Sequence, residues 1–130
     1  MKSQGILVFY NTWAIAYCDE GLRKYYAYLL EREKWIKLMM PKWGAHISVI
    51  RGDGETVLSE YQKKWKKYDG RRFDFEYGID IAEDYGGGGR YYYWLPVECS
   101  FLLDIREEFG LGRDPIVSNG LHLTLGSMYV

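Results

Sequence analysis

The sequence predicts one α+β (mixed α/β) domain, and three observations predict it. Several short runs carry an apolar residue on every second position, the period of a half-buried strand. Between them lie segments with apolar residues at helical spacing. The chain has 130 residues, 48% hydrophobic and 27% charged, which is one domain's worth of globular composition with no linker to divide it. Strands and helices that alternate along a chain in this way pack as layers around one core.

The elements follow in order. Residues 6–10 and 13–17 are apolar, strand-like runs. Asp19 is placed to cap a helix whose stripe is Leu22, Tyr25, Tyr26, Leu29 and Leu30. Residues 35–40 read as a short buried strand stopped by Pro41, and 45–50 as a second strand stopped by Gly52. Val57, Leu58, Tyr61 and Trp65 have helical spacing, with Lys63, Lys64, Lys66 and Lys67 on the outer face. Phe73, Phe75, Tyr77, Ile79 and Ile81 alternate with Arg72, Asp74, Glu76 and Asp80, a strand with one face buried. The four glycines at 86–89 read as a hairpin connection; no Lys-Ser/Thr follows to make a phosphate-binding loop. Residues 91–97 are a strand that nears its end or an edge at Pro96. Ser100 can cap a helix carrying Phe101, Leu102, Ile105 and Phe109, closed by Gly110, and 121–125 is the last strand. Each half of the chain thus runs through a helix and contains a strand bearing one histidine.

Charge and cysteine content narrow the function. Seventeen Lys+Arg against eighteen Asp+Glu give a net charge of −1, which excludes a polybasic tail or a whole-surface binder of DNA duplex. No apolar run approaches the ~20 residues of a membrane span. The opening residues carry one Lys and an apolar run too short for a signal peptide, so a cytoplasmic protein is expected. Cys18 and Cys99 form neither a CxxC motif nor a disulfide framework.

The chain has two histidines, and both lie in one pattern: His46-Ile47-Ser48-Val49 and His122-Leu123-Thr124-Leu125. With nine Ser and Thr in 130 residues, a hydroxyl two places after one histidine arises in about 7% of cases, and after both in about 0.5%. Strand alternation turns Ile47, Val49, Leu121, Leu123 and Leu125 to the core and sets His46, Ser48, His122 and Thr124 on the other face. Two imidazoles flanking a phosphodiester can serve as general base and general acid, since a histidine pKa lies near working pH. The two hydroxyls can donate to non-bridging oxygens as charge develops. Two histidines and two scattered cysteines make a poor metal set, so neither a metal site nor a cofactor is expected.

The paired HxS/T motifs resemble those of the 2H phosphoesterase superfamily. The surrounding words, Pro41-Lys42-Trp43-Gly44-Ala45 before the first motif, Ile50-Arg51-Gly52 after it, Tyr92-Tyr93-Trp94-Leu95-Pro96-Val97-Glu98-Cys99, Ile105-Arg106-Glu107-Glu108-Phe109-Gly110-Leu111, and Gly120-Leu121 and Gly126 around the second motif, look like its Swiss army knife RNA repair-like branch. That branch includes phage anti-CBASS nucleases that destroy cyclic di- and trinucleotide signals. The resemblance covers nearly the whole chain, most clearly from Trp35 onward. It implies a bilobal fold, two pseudo-symmetric sheet-and-helix lobes around a central cleft. It implies a metal-independent hydrolase of 3′–5′ phosphodiester bonds with the neighbouring 2′-hydroxyl as nucleophile, acting in viral evasion of host immunity and, if viral, in the host cytoplasm. His46, Ser48, His122 and Thr124 would be its catalytic residues. Ser48 stands where threonine is common, which keeps the donor and loses a methyl.

Aromatic residues are 18% of the chain, and bases stack on aromatic faces at about 1–3 kcal/mol each. Tyr10, Trp13 and Trp43 are candidate base platforms, each with packing in the core as the alternative, and the 91–94 run reads as half core and half cleft. Arg51 can pair a second phosphate or serve as a solvated strand-end charge. The expected partner is a cyclic oligonucleotide or small RNA-like substrate, and Tyr-rich strand faces leave room for a homo-oligomer. Opening of 2′,3′-cyclic phosphates at RNA ends, or nucleotide sequestration without turnover, are the competing functions.

Overall fold

Alternating apolar residues at the start of the chain fold back on themselves as a hairpin. The computed structural model describes residues 1–115 and 120–129. Strands β1 (Lys2–Tyr10) and β2 (Trp13–Cys18) pair antiparallel through a two-residue turn in which Asn11 takes a φ of 52°, a conformation asparagine tolerates. Asp19 caps α1 (Glu20–Lys34) by accepting the Gly21 N–H at 2.9 Å. The inward face of α1 is Arg23, Tyr26, Ala27 and Leu30; Tyr25 and Leu29, expected to face inward, are exposed. The expected strand over 35–40 is absent. Trp35 ends the helix in left-handed backbone and is 93% exposed, and only Met39 forms a bridge, with Ser127. Met39 and Met40 are exposed as well, and of this stretch only Leu38 packs on the core.

Strand β3 (His46–Ile50) follows. The expected helix over 57–65 shortens to a 3₁₀ helix (Ser59–Lys64), because its apolar residues wedge against the core edge: Trp65 packs on Phe9 and Phe109. The long strand expected over 73–81 stops at Gly78 as β4 (Arg72–Tyr77), leaving Ile79 exposed, and β5 (Ala82–Tyr85) begins beyond its expected end. The glycine run turns β5 into β6 (Arg90–Glu98). Helix α2 (Ser100–Glu108) starts at the expected cap residue itself, so the N-cap falls one residue earlier, at Cys99, with no side-chain capping bond. Strand β7 (His122–Tyr129) completes the fold.

The expected bilobal architecture is corrected here. Among the described residues all seven strands belong to one antiparallel sheet in the order β4-β1-β2-β3-β7-β6-β5, and a further pairing joins the end strand β4 to β6, next to the other end. The strands of the two halves hydrogen-bond directly to one another: β3 pairs with β7 at Ile47–Leu123, and β4 with β6 at Tyr77–Val97. A continuous ladder leaves no boundary between lobes. Helix is the minority element, two segments of 15 and 9 residues. Their inward residues join Leu7, Phe9, Ile47, Val49, Leu95, Leu123 and Leu125 in one core cluster, so both helices pack on the same core. Among the described residues no helix is long and apolar enough to cross a membrane.

Candidate active site

The pairing of Ile47 with Leu123 sets the site. In an antiparallel ladder this register places His46 opposite Thr124 and Ser48 opposite His122. All four are half-buried, while Ile47, Val49, Leu123 and Leu125 between them are fully buried. Directly opposed positions in such a ladder lie about 4.5–5.5 Å apart at Cβ, and diagonal ones about 7–8 Å. The two imidazoles therefore stand on one diagonal and the two hydroxyls on the other. All four line a cleft of about 630 Å³, a volume usual for small-ligand sites. A larger depression of about 750 Å³ lies between β1, β4 and the start of α2; it is lined by Lys2, Asp74, Glu76 and Glu98 and holds no imidazole.

Each imidazole is oriented by the glycine two residues before it. His46 Nδ1–H donates to the Gly44 carbonyl at 3.0 Å, and His122 Nδ1–H to the Gly120 carbonyl at 2.9 Å. A carbonyl can only accept, so Nδ1 carries the proton in both rings, and Nε2 is the nitrogen at which each ring gains or loses a proton. Both glycines have positive φ, 66° and 78°, and Gly44 is further confined by Glu20, whose carboxylate a Cβ would meet at 2.8 Å. The motif is thus G-x-H-x-S/T in both copies. That signal is present in the sequence, but the HxS/T reading gave the glycines no role.

The strands are held from behind by buried arginines. Arg106 of α2 donates to the Val49 carbonyl at 2.7 Å, three residues after His46, and is bound by Glu55 at 2.5 Å. Arg23 of α1 donates to the Leu125 carbonyl at 3.0 Å, three residues after His122, and is bound by Glu20. Glu20 also accepts the Ala45 N–H at 2.7 Å, fixing the residue before His46. Burial alone would raise the Glu55 carboxyl, yet the hydrogen bonds and charge of Arg106 and the Arg51 N–H hold it below its usual range. Neither arginine was singled out from the sequence; charge on a helix reads as solvated unless the tertiary fold covers it.

Each histidine also has a tryptophan beside it. The Trp43 ring is 5.5 Å from His46, and Trp94, on the neighbouring strand β6, is 5.4 Å from His122. Burial pushes the His46 imidazole below its ordinary pKa; the Gly44 carbonyl and Glu20 oppose this, and the Arg51 charge adds to it. His46 is therefore neutral at neutral pH, the state of a general base.

Of the candidate substrate-binding residues, Trp13, Trp43 and Arg51 line the cleft. Trp13 packs edge-on against Trp43 at 4.8 Å, and Arg51 lies over Trp13 at 5.7 Å. Arg51 is also held in a fork by Asp53 at 3.1 and 3.0 Å. Tyr10 is not brought in: it ends β1 and is exposed outside the cleft. Lys42, Asp84, Arg90 and Ser127, not singled out for ligand binding, line it too, as do Tyr92 and Trp94, the cleft half of the 91–94 run. Their signal was the alternation of Arg90, Tyr92 and Trp94 along β6, opposite the core residues Tyr93 and Leu95. Register shifts in β2 at Ala14/Ile15 and in β6 at Tyr93/Trp94 flank the histidine strands on both sides, the placement by which bulges re-aim side chains into a site. Among the described residues no three His, Cys, Asp or Glu side chains come together as a metal site.

Comparison with known proteins gives no match: no family, no curated protein and no solved structure is similar to this chain.

Proposed function

We propose that the protein is a phosphodiesterase that cleaves 3′–5′ bonds of cyclic di- or trinucleotides without a metal ion. The observation that carries this is the crossed arrangement of two imidazoles and two hydroxyls on adjacent strands, with both Nδ1 atoms tied to glycine carbonyls. His46, neutral by burial, takes the proton of the substrate's 2′-hydroxyl through Nε2. The 2′-oxygen attacks phosphorus and the bond from phosphorus to the 5′-oxygen breaks. Protonated His122 gives its Nε2 proton to that leaving oxygen. Ser48 and Thr124 donate to the non-bridging oxygens as their charge grows. The products are a 2′,3′-cyclic phosphate and a free 5′-hydroxyl, so one cut opens a cyclic ligand. Removal of such signals from a host immune response is the setting that the 2H resemblance adds to the proposal.

The test is incubation with a cyclic dinucleotide, a cyclic trinucleotide and a 2′,3′-cyclic mononucleotide, all in EDTA. We expect the first two to be cut and their 2′-deoxy analogues to resist. Turnover only of the mononucleotide would instead support RNA-end processing. Tight binding with every ligand recovered intact would support sequestration. Cleavage that requires added metal would overturn the mechanism.

A further inference from the structure

The cations around the cleft differ in how they are held. Arg51 is forked by the Asp53 carboxylate. Arg106 is buried and neutralised by Glu55. Arg90 has no carboxylate within ion-pair distance among the described residues and is held by neutral groups instead. Its Nε and Nη2 both donate to the Ser127 hydroxyl, at 3.2 and 3.1 Å. Its guanidinium lies between two rings, 4.8 Å from Tyr92 and 5.4 Å from Tyr129. Stacking and a neutral acceptor hold the plane without cancelling the charge, and Nη1 is left to donate.

The frame is built into the chain. Gly86, first of the four glycines, faces the Tyr92 ring so closely that a Cβ there would meet it at 2.5 Å. The turn then closes with Gly86 N–H donating to the Arg90 carbonyl at 2.9 Å and Arg90 N–H donating to that of Gly87 at 3.0 Å. The glycine run thus sets Arg90 at the first position of β6 and makes room for the ring beneath its guanidinium. Arg90 and Trp94 lie on the same strand face, and Trp94 is in register with Thr124. Strand rise separates Arg90 from Trp94 by about 13 Å at Cα, and the side chain, lying over Tyr92, spans about half of that. A fixed, uncancelled guanidinium therefore stands about one nucleotide's length from the HxS/T group, with Asp84 on the same side of the cleft.

We propose that Arg90, framed by Tyr92, Tyr129 and Ser127, is a second phosphate subsite, and that it gives the cleft its preference for substrates with a second phosphate one nucleotide from the bond being cut. This deepens the phosphodiesterase reading and rests on it for the identity of the first phosphate. It separates an oligonucleotide substrate from a 2′,3′-cyclic mononucleotide, which has only one phosphate to offer.

The experiment is equilibrium binding, read by tryptophan fluorescence, of the one-phosphate deoxydinucleotide d(ApA) and of its forms with an added 5′- or 3′-terminal phosphate. No turnover is needed. We expect one of the phosphorylated forms to bind the wild type about 10–100-fold more tightly than d(ApA), the worth of one charge-assisted Arg–phosphate contact. In Arg90→Gln that ratio should fall to about one, and in Arg90→Lys, which keeps the charge but loses the fork, to an intermediate value. Arg72→Gln, at an exposed position of β4 outside the cleft, controls for general charge and should keep the ratio. No ratio in the wild type, a ratio that survives Arg90→Gln, or equal loss in Arg72→Gln would each overturn the subsite. Cleavage of ribo-ApA in EDTA is read in parallel. Its failure alongside a ratio that depends on Arg90 would count against the enzyme reading and not against the subsite.

Discussion

On the β3 side of the cleft, His46 has its tryptophan three residues back along the same chain, its nearby arginine forked by Asp53, and its strand pinned by Arg106. On the β7 side, His122 borrows Trp94 from the neighbouring strand, the arginine is Arg90 held by a hydroxyl and two rings, and the pin is Arg23. The parts shared are those that act over a few bonds: the glycine that orients Nδ1, the alternation that presents the hydroxyl, and the carbonyl three residues on that a helix arginine grips. The parts that differ are supplied sideways, by whichever element lies next to the strand. The two sides therefore share a chemistry and differ in what they recognise.

The largest test of that comparison is to remove each histidine in turn. His46→Ala and His122→Ala should each lower kcat on a cyclic dinucleotide by about 10²–10⁴-fold, with the double variant little worse than either, because base and acid act in one step. A large loss in only one of them would mean that the two sides do not share the reaction.

Next in size is the pair of buried arginines. The Arg106 side chain is 2% exposed and that of Glu55 10%, whereas the Glu20 partner of Arg23 is 39% exposed. Arg106→Met leaves a buried carboxylate unpaired and should cost about 3–5 kcal/mol by urea unfolding. Arg23→Met should cost less, about 1–3 kcal/mol, since water reaches Glu20. Equal costs would show that burial does not set the difference. The sign of the pH dependence follows from Glu55. Its carboxyl is held below the ordinary range, so its stabilisation is present above that range and is lost as pH falls through the lowered value.

The smallest effect concerns the acid limb of the rate profile. His46 is pushed below its ordinary value, first by burial and also by the charge of Arg51. The limb of kcat/KM assigned to the base should thus fall below pH ~6.5, leaving the base deprotonated above it. Arg51→Gln removes a cation and should move that limb upward; an unmoved or lowered limb would remove Arg51 from the electrostatics of the β3 side.

The legible part of the site was the pair of four-residue patterns, since strand alternation alone decides that His46 and Ser48 share a face, as do His122 and Thr124. The hairpin at 86–89, the helix after Asp19 and the core role of the intervening aliphatics were equally local and equally readable. Other elements depended on distant neighbours. Residues 35–40 are as apolar as a strand, yet only Met39 finds a ladder partner, Ser127. Tyr25 and Leu29 have the spacing of a buried stripe, but α1 docks through Tyr26 and Leu30 of that stripe together with Arg23 and Ala27. That buried face includes a charge, which no hydropathy pattern marks as internal.

The sequence by itself determined which side chains stand beside one another along each strand, because that depends on backbone geometry over two residues. Only the tertiary structure decided that the two strands are direct neighbours in one sheet, that Ile47 faces Leu123, and that Trp94 and Arg90 complete the cleft while Tyr10 lies outside it. Strand order and register are set by how the whole apolar face packs on two helices, a global balance of burial that no local period encodes.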